Sequence, residues 1–329
     1  MKEARFYKKE PVGKTRCLLC PQRCFLANNK TGRCLTRINK DGVLYTKIYG
    51  EVTSYAMDPI EKKPLYHFYP GSMIFSIGSY GCNFKCTFCQ NWHISQQQVE
   101  TEKFMPEDIV EIALDNKSIG IAYTYNEPFI WYEFMYDTAK IAKEKGLKNV
   151  LVTNGFVNEE PLKELLPLVD AMNVDLKGSN ESFYREICDG QIAPVMKTIQ
   201  TSYNAGIHVE ITNLIIPTLN DRIDEINEIT DWLASISPDM PLHFSRYFPQ
   251  YKMDIDPTPV ETLVTACETA KNKIKYVYMG NTDPQTGWSD TLCPKCGKTL
   301  IYRNGYEIKV EGIKDNRCRH CNEPIYGKF

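Results

Sequence analysis

Residues 73–91, MIFSIGSYGCNFKCTFCQN, join an apolar run to three closely spaced cysteines. The apolar run is rich in β-type residues and predicts a buried strand, which places Cys82, Cys86 and Cys89 on a loop at its carboxyl end. A [4Fe-4S] cluster normally takes four cysteines, so the C-x3-C-x2-C loop would leave one iron open to a small molecule. A zinc ion bound by the three cysteines and His93 is the competing interpretation. An open iron would make this loop a centre of chemistry.

Downstream of this loop, the sequence repeats a strand followed by a helix. The strands predicted after the one at Met73 are Gly120–Tyr125, Asn149–Thr153, Ala171–Leu176, His208–Ile216, Pro241–Ser245 and Lys275–Met279. About six such units predict an α/β fold, a full or partial β/α barrel with its functional residues at the carboxyl ends of parallel strands. We expect this barrel to span residues 72–280, between a cysteine-rich module with its lead-in at 1–71 and a four-cysteine module at 281–329.

The composition is that of a folded globular chain. Of 329 residues, 43% are hydrophobic and 24% are charged, which excludes disorder, collagen and coiled coil as descriptions of the whole. The 39 basic and 41 acidic side chains give a formal charge of -2, so the molecule lacks the positive field of a general nucleic-acid or membrane-surface binder. We find no secretory signal, and no stretch approaches the roughly 20 apolar residues of a membrane span. We therefore expect a cytoplasmic protein whose 13 cysteines are reduced and mostly bind metal.

The C-terminal cysteines form two pairs in the pattern C-x2-C-x21-C-x2-C. They are Cys293, Cys296, Cys318 and Cys321. Two pairs at this separation predict a zinc-ribbon-like module with four thiolate ligands, and a rubredoxin-like iron site is the alternative. Metal binding would supply much of the folding energy of such a small module.

The N-terminal cysteines have the spacing C-x2-C-x3-C-x9-C. They are Cys17, Cys20, Cys24 and Cys34. This spacing suits either zinc or a second [4Fe-4S] cluster and does not separate the two. The first 40 residues contain eleven Lys or Arg and only two acids, so this segment is either a basic arm for RNA or an acidic partner, or a solvated face whose charge the thiolates offset. The remaining cysteines, Cys188 and Cys267, are expected to be buried thiols.

The central cysteine loop and the strand-helix series after it resemble the radical S-adenosylmethionine (SAM) superfamily, particularly the activating enzymes of glycyl radical enzymes such as pyruvate formate-lyase. This resemblance covers about residues 72–280. The stretches DPIEKKPLYHF at 58–68 and TYNEP at 124–128, with the cysteine-rich ends, resemble the radical SAM member of the AmmeMemoRadiSam system. Activating enzymes usually have Gly-Gly-Glu where this chain has Tyr-Asn-Glu. The resemblance implies a partial (β/α)6-type TIM barrel of the radical SAM class.

The resemblance also implies a mechanism and a set of site residues. A [4Fe-4S] cluster on the three central cysteines would bind SAM at its open iron, and one electron would cleave SAM to methionine and a 5′-deoxyadenosyl radical that takes hydrogen from a substrate. The residues implied around SAM are Phe88, Asn126, Glu127, Thr153, Asn154, Asp175, Lys177, Thr212 and His243.

Several of these residues also have an ordinary structural interpretation. Glu127 could be a first-turn acid in a helix capped by Asn126. Asp175 and Lys177 are two apart, so on a continuing strand they share one face and can form an ion pair. A single histidine such as His243 is most often structural.

The substrate and the partners stay open at this point. One hypothesis is a glycine of a partner glycyl radical enzyme, and another is a small molecule or an RNA base modified with Memo-type and Amme-type partner proteins. A non-catalytic scaffold or RNA-binding protein with zinc or clusters is the hypothesis from a different class. For the enzyme hypotheses, we expect a flavodoxin-type or ferredoxin-type protein to donate single electrons.

Overall fold

The computed structural model describes residues 1–283 and 286–329, and its centre is one eight-stranded sheet. Its strands are β1 (Ser54–Pro59), β2 (Met73–Gly78), β3 (Gly120–Tyr123), β4 (Lys148–Thr153), β5 (Ala171–Asp175), β6 (His208–Ile215), β7 (Leu242–Arg246) and β8 (Val277–Gly280). They lie side by side in this order, with β2 to β8 parallel and β1 antiparallel to β2. Among the described residues, β1 and β8 each pair on one side only, so the hydrogen-bonded sheet is open.

Six helices connect the parallel strands. They are α1 (Pro106–Asp115), α2 (Tyr132–Glu144), α3 (Glu159–Leu165), α4 (Ile192–Asn204), α5 (Ile223–Ile236) and α6 (Val260–Lys271). Each helix follows one strand and precedes the next, which confirms the predicted series of six strand-helix units and the α/β fold with a parallel sheet. None of the helices in the described ranges is long and apolar enough to cross a membrane.

Shorter helical turns complete the connections. The 3-10 turn Pro128–Trp131 leads into α2, and the turn Leu166–Leu168 follows α3. A short helix, Glu181–Phe183, continues into the π-helical turn Tyr184–Cys188. The segments Ile60–Lys62 and Trp92–Ser95 form two further turns. Apolar positions three or four apart on α5, such as Ile226, Ile229 and Leu233, are buried, as expected of an amphipathic helix packed on a sheet.

The N-terminal segment folds as short strands that pack against the main sheet. These strands are Lys2–Glu3, Tyr7–Glu10, Lys14–Cys17, Phe25–Leu26, Arg37–Lys40, Val43–Thr46 and Glu51–Val52, the last paired with Glu102–Lys103. Leu19, Leu26 and Leu44 are buried in the same hydrophobic core as Phe84 and Ile130, which belong to the strand-helix series. The N-terminal segment and the sheet therefore share one core.

The C-terminal segment forms a second, smaller hydrophobic core together with the last strand of the main sheet. Its strands are Thr291–Leu292, Thr299–Asn304, Glu307–Val310, Ile313–Lys314 and Arg317–Cys318. Leu300 and Ile301 pack there with Tyr278 from β8 and Tyr276 just before it. The guanidinium of Arg303 donates to the carbonyl oxygen of Tyr66 at 2.7 Å, which ties this segment to the DPIEKKPLYHF stretch.

A buried carboxylate fastens that stretch to the sheet interior. Glu210, on β6, accepts hydrogen bonds from the backbone N–H groups of Tyr66 at 3.0 Å and His67 at 2.7 Å. It also pairs with His208 Nε2 at 2.9 Å and His243 Nε2 at 2.7 Å. Burial would raise the pKa of Glu210, but the hydrogen bonds from His208 and His243 hold it well below its ordinary value. The carboxylate is therefore ionised at neutral pH.

We expect the neutral, buried His67 to make the fold sensitive to acid. Its Nδ1 lies 2.6 Å from the carbonyl oxygen of Tyr326 and its Nε2 lies 2.5 Å from the hydroxyl of Tyr278, so Nδ1 carries the proton. Burial lowers the pKa of His67 from 6.5 to about 3. Below pH 6.5 this histidine binds a proton in the unfolded chain but stays neutral in the folded chain. For this group, the free energy of unfolding should therefore fall by about 1.4 kcal/mol for each unit by which the pH is lowered.

Urea unfolding between pH 7 and pH 5 would measure this effect. His67→Gln should flatten the pH dependence of the unfolding free energy, whereas His93→Gln, at an exposed histidine, should leave it unchanged. Equal slopes in the wild type and His67→Gln would contradict the prediction.

Candidate catalytic site at the carboxyl edge of the sheet

A cavity of about 660 Å³ opens at the carboxyl ends of the parallel strands, where the sequence predicts the functional residues. All three central cysteines line it. It is also lined by eight of the nine residues implied around SAM, namely Phe88, Asn126, Glu127, Thr153, Asn154, Asp175, Lys177 and Thr212. The fold thus brings together residues that are spread over 130 positions of the sequence, from 82 to 212.

The cysteine loop is held in place by the residue that the sequence suggests as a helix cap. The side chain of Asn126 accepts a hydrogen bond from Ser79 N at 3.0 Å and donates one to Gly81 O at 3.1 Å. Glu127, rather than Asn126, caps the turn that follows, by accepting from Phe129 N at 3.0 Å. In the alternative structural interpretation Asn126 is the cap, whereas in the structure its amide positions the backbone that leads into Cys82.

Polar groups form hydrogen bonds with the sulfurs of Cys82 and Cys89. Cys82 Sγ accepts from Phe84 N at 3.4 Å and from Asn154 Nδ2 at 3.5 Å. Cys89 Sγ lies 3.1 Å from the hydroxyl of Ser95, which also lines the cavity. Hydrogen bonds to cysteine sulfurs are one of the means by which proteins set cluster potentials. Ser95 is not predicted from the sequence, because no motif marks a serine six residues beyond the last cysteine.

Cys86 lies beside Cys188, which the sequence places in the core. A hydrogen bond with the Cys188 thiol and burial raise the pKa of Cys86 well above its ordinary value. The backbone of the π-helical turn supports the cysteine loop, since Lys85 N donates to Cys188 O at 2.8 Å. Cys188 is buried as expected, and it also packs against the loop.

The expected ion pair at the end of β5 is present. Lys177 Nζ lies 2.8 Å from Asp175 Oδ2, and the ammonium lies 5.7 Å from the ring centroid of Phe88. Burial would lower the pKa of Lys177, but Asp175 and Cys86 hold it well above its ordinary value. The cavity therefore keeps a positive charge near the Cys86 thiol.

Glu127 is fully enclosed and firmly oriented. Its carboxylate accepts hydrogen bonds from Thr153 Oγ1 at 2.7 Å and from Asn154 N at 2.8 Å, in addition to the one from Phe129 N. Burial nevertheless raises the pKa of Glu127 to about 7. A cation at this side of the cavity would therefore meet a carboxylate that titrates near neutral pH.

Thr212 and His243 have different surroundings. Thr212 Oγ1 is buried at the cavity wall and has no hydrogen-bond partner among the described residues. Buried hydroxyls normally have a partner, so this one is suited to a hydrogen bond with a polar ligand. His243 does not line the cavity, because it lies deeper and pairs with Glu210. Ser245, two residues further along β7 and on the same face, lines the cavity instead. His93, the fourth ligand in the zinc interpretation, is exposed outside the cavity.

The DPIEKKPLYHF stretch forms a charged part of the cavity wall. Asp58 pairs with Lys63 Nζ at 2.8 Å and Lys62 Nζ at 3.1 Å, and it accepts from the hydroxyl of Tyr125 at 2.7 Å. Asp58 and both lysines line the cavity. Tyr125 has a φ of 69°, a left-handed conformation that is uncommon for a bulky residue. The family resemblance of this stretch does not by itself predict that these residues line the cavity.

The four C-terminal cysteines form a cluster that could hold one metal ion. Their sulfurs all lie within 4.8 Å of one another, with Cys293 and Cys321 at 3.5 Å and Cys296 and Cys318 at 3.8 Å. A tetrahedral zinc with Zn–S bonds of about 2.3 Å requires sulfurs about 3.8 Å apart. Both of these sulfur separations are close to this value, so the residues present suit a tetrahedral ion with four thiolate ligands.

Comparison with known proteins identifies the family. The model of the Radical SAM superfamily matches residues 76–233. Uncharacterized protein MJ0808 of Methanocaldococcus jannaschii is 46% identical over 333 residues, which cover 99% of each chain. The chain belongs to the radical SAM superfamily. The matched residues of this radical SAM protein include the three central cysteines and strands β3 to β6 of the parallel sheet.

More distant radical SAM relatives carry names of activating enzymes. Pyruvate formate-lyase-activating enzyme of Clostridium pasteurianum is 23% identical over 47% of this chain and 67% of its own length. The putative glycyl-radical enzyme activating enzyme MJ1632 of M. jannaschii is 27% identical over 51% of this chain and 65% of its own. Among solved structures, Streptococcus suis SuiB bound to SAM is 14% identical with a TM-score of 0.52, covering 68% of this chain and 53% of that one. This last likeness shows a shared fold.

Proposed function

We propose that this protein cleaves SAM reductively at a [4Fe-4S] cluster held by Cys82, Cys86 and Cys89 and uses the resulting 5′-deoxyadenosyl radical to remove hydrogen from a substrate. The observation that carries the proposal is the convergence of three cysteines on a cavity lined by carboxylate, hydroxyl and amide groups, with no fourth cysteine among the described residues that line it. When bound, the cluster supplies an open iron for SAM and one electron for its cleavage. The unpartnered hydroxyl of Thr212 and the oriented carboxylate of Glu127 suit the polar groups of SAM.

The residues of the chain have separable tasks in this proposal. Glu127 binds the ammonium of SAM's methionyl group, and Thr153 and Asn154 keep its carboxylate oriented. Asn154 also donates to Cys82 Sγ, so it links the cluster loop to the SAM pocket. The aromatic ring of Phe88 limits the access of water to the reacting atoms.

The titration of Glu127 predicts how SAM binding depends on pH. The ionised carboxylate attracts the ammonium of SAM and the protonated acid does not, so SAM affinity should fall as the pH drops below 7, approaching about tenfold per pH unit. Equilibrium binding of SAM to the reconstituted protein between pH 8 and pH 6 would measure this. Glu127→Gln should bind SAM weakly and without this pH dependence.

A second cavity carboxylate provides the control for that measurement. Burial would raise the pKa of Asp58, but its hydrogen bonds with Lys63 and Tyr125 hold that pKa far below neutral. Asp58→Asn should therefore keep the pH dependence of SAM binding. If SAM affinity is the same at pH 6 and pH 8 in the wild type, Glu127 does not bind the ammonium.

The substrate that we favour is a glycine of a partner protein. The relatives named as activating enzymes support this class, and a flavodoxin-type or ferredoxin-type protein would supply the electron. The charged wall of Asp58, Lys62 and Lys63 favours a second candidate, a polar small molecule or an RNA base modified with Memo-type and Amme-type partners. We propose that the reaction takes place in the cytoplasm. We also propose that the four C-terminal cysteines bind a zinc ion.

Deuterium transfer would test the function and separate these candidates. Protein, SAM and reductant are mixed without oxygen with each deuterated candidate, and the label is sought in 5′-deoxyadenosine. Label should pass only from the true substrate. A protein that binds zinc at all three cysteine groups and never cleaves SAM would instead be a scaffold or an RNA-binding protein.

A further inference from the structure

The N-terminal cysteines surround a gap close to the catalytic cavity. Cys17, Cys20, Cys24 and Cys34 all line it, and it has room for a water-sized sphere. Three of these four side chains are buried, and the structure contains no disulfide between them. Four thiols around a gap, three of them buried, form a site for an inorganic centre, and the protein has two other cysteine groups with which to compare it.

The spacing of the sulfurs distinguishes the two kinds. In residues 1–283 and 286–329, the C-terminal quartet is the one set of three or more potential ligands whose atoms all lie within 4.8 Å of one another. Neither the N-terminal four nor the central three cysteines meet this condition. A single zinc requires sulfurs about 3.8 Å apart, whereas the wider spread of the N-terminal sulfurs leaves space between them for a polynuclear core. In the spacing of its sulfurs, the N-terminal site therefore resembles the central cysteine loop and differs from the C-terminal quartet.

A buried cation lies next to these thiols. Arg37 is almost completely enclosed, forms an ion pair with the equally buried Glu133, and directs Nη1 toward Cys17 Sγ at 3.9 Å. The hydroxyl of Thr36 lies 3.1 Å from Cys34 Sγ. A cluster with four thiolates is an anion, and burying an anion requires opposite charge and hydrogen-bond donors of this kind.

The N-terminal site directly adjoins the catalytic loop. Asn83 lines the gap between the N-terminal cysteines, and its Oδ1 lies 3.9 Å from Cys82 Sγ on its other side. A Cβ atom on Gly81 would lie 2.3 Å from the carbonyl oxygen of Cys34, so the two cysteine loops touch through this glycine. Gln22 fixes the contact by donating to Asn83 O at 3.1 Å. One residue thus separates the two cysteine sites.

We propose that Cys17, Cys20, Cys24 and Cys34 hold a second [4Fe-4S] cluster that delivers electrons to the catalytic cluster. Four cysteines leave no iron open, so this cluster binds no substrate and transfers electrons only. The assignment of the cluster stands alone, and its role as a relay rests on the proposed function.

The electron transfer is balanced in two steps. A reduced low-potential one-electron carrier protein loses one electron to the N-terminal cluster, which passes from the 2+ to the 1+ state. The N-terminal cluster then returns to 2+ as the catalytic cluster is reduced to 1+. The eleven basic side chains and two acids of residues 1–40 favour an acidic carrier of the flavodoxin or ferredoxin class at this end of the molecule.

Iron and sulfide analysis tests the assignment without any need for activity. The triple variant Cys82→Ala, Cys86→Ala, Cys89→Ala removes the catalytic ligands and keeps the N-terminal four. After anaerobic reconstitution it should contain about four iron and four sulfide per chain, and about twice as many should be present in the wild type. A triple variant that binds zinc in place of iron, or binds no iron, would overturn the proposal.

Two measurements test the relay. Cys24→Ala, at a half-buried ligand, should lose SAM cleavage driven by reduced flavodoxin while it keeps cleavage driven by dithionite, which reduces the catalytic cluster directly. In the reduced wild type, electron paramagnetic resonance should show broadening from two neighbouring spins that the triple variant lacks. Flavodoxin-driven cleavage at the wild-type rate in Cys24→Ala, or two spectra that simply add, would refute the relay. Failure with both reductants in the wild type would instead refute the proposed function.

Discussion

Cys86→Ala should abolish SAM cleavage. The variant leaves two thiolates on the catalytic loop, which cannot hold a [4Fe-4S] cluster with one open iron, and the cluster supplies the electron for the reaction. Formation of 5′-deoxyadenosine with dithionite as reductant should fall to the level of a reaction without protein. Iron bound per chain should fall with it, because the cluster is lost from the catalytic loop.

Two other buried cysteines provide matched controls for this experiment. Cys188→Ser changes the thiol beside Cys86, and Cys267→Ala changes a thiol in α6 that lies 3.9 Å from Tyr278 O. Both variants should keep the catalytic cluster and SAM cleavage, because neither thiol is a ligand in our proposal. If Cys188→Ser loses the cluster, Cys188 is a fourth ligand and the open iron does not exist. Turnover retained in Cys86→Ala would rule out the mechanism altogether.

Cys296→Ser should remove the metal of the C-terminal segment and loosen its fold. Cys296 is the exposed member of the quartet, so the substitution changes a ligand with little effect on core packing. Structural zinc contributes about 10–16 kcal/mol of apparent folding free energy in isolated zinc-finger peptides, and we expect a loss of several kcal/mol here. The variant should contain one zinc fewer per chain by elemental analysis, and residues 291–329 should lose protection from hydrogen exchange.

The exposed Lys298, two residues beyond Cys296, offers the control substitution. Lys298→Ala should keep both the zinc and the protection of the C-terminal segment. A Cys296→Ser protein that keeps the same zinc content and the same exchange pattern would show that the four sulfurs do not bind a structural metal.

The sequence predicts the framework of this protein well because its signals are local. Apolar runs such as the one at Met73 and the helical periodicity of α5 specify the strands and helices directly. The spacing of Cys82, Cys86 and Cys89 marks the loop that we propose to hold the catalytic cluster. Parallel strands align their carboxyl ends, so residues after different strands, such as Glu127 and Asp175, could be expected to meet.

The contacts that the sequence does not predict depend on register between distant elements. His243 belongs to the right strand, yet the stagger of that strand puts Ser245 at the cavity and leaves the histidine beside Glu210. Ser95 reaches Cys89 only because the chain turns through the short helix Trp92–Ser95. Likewise, the positions of the cysteines in the sequence do not show that the C-terminal sulfurs lie closer together than the N-terminal ones. That difference is seen only in the folded structure.

The stretch from residue 58 to residue 68 faces two ways. The side chains at its start, Asp58, Lys62 and Lys63, line the cavity. At its end, the backbone N–H groups of Tyr66 and His67 donate to the carboxylate of Glu210. The carbonyl oxygen of Tyr66 accepts a hydrogen bond from Arg303. A substitution made at the start of this stretch to change specificity therefore also acts on the end of the stretch, which is hydrogen-bonded to the C-terminal segment. Ser245 lines the cavity from a strand of the main sheet and is therefore the better position for a substitution meant to change the substrate.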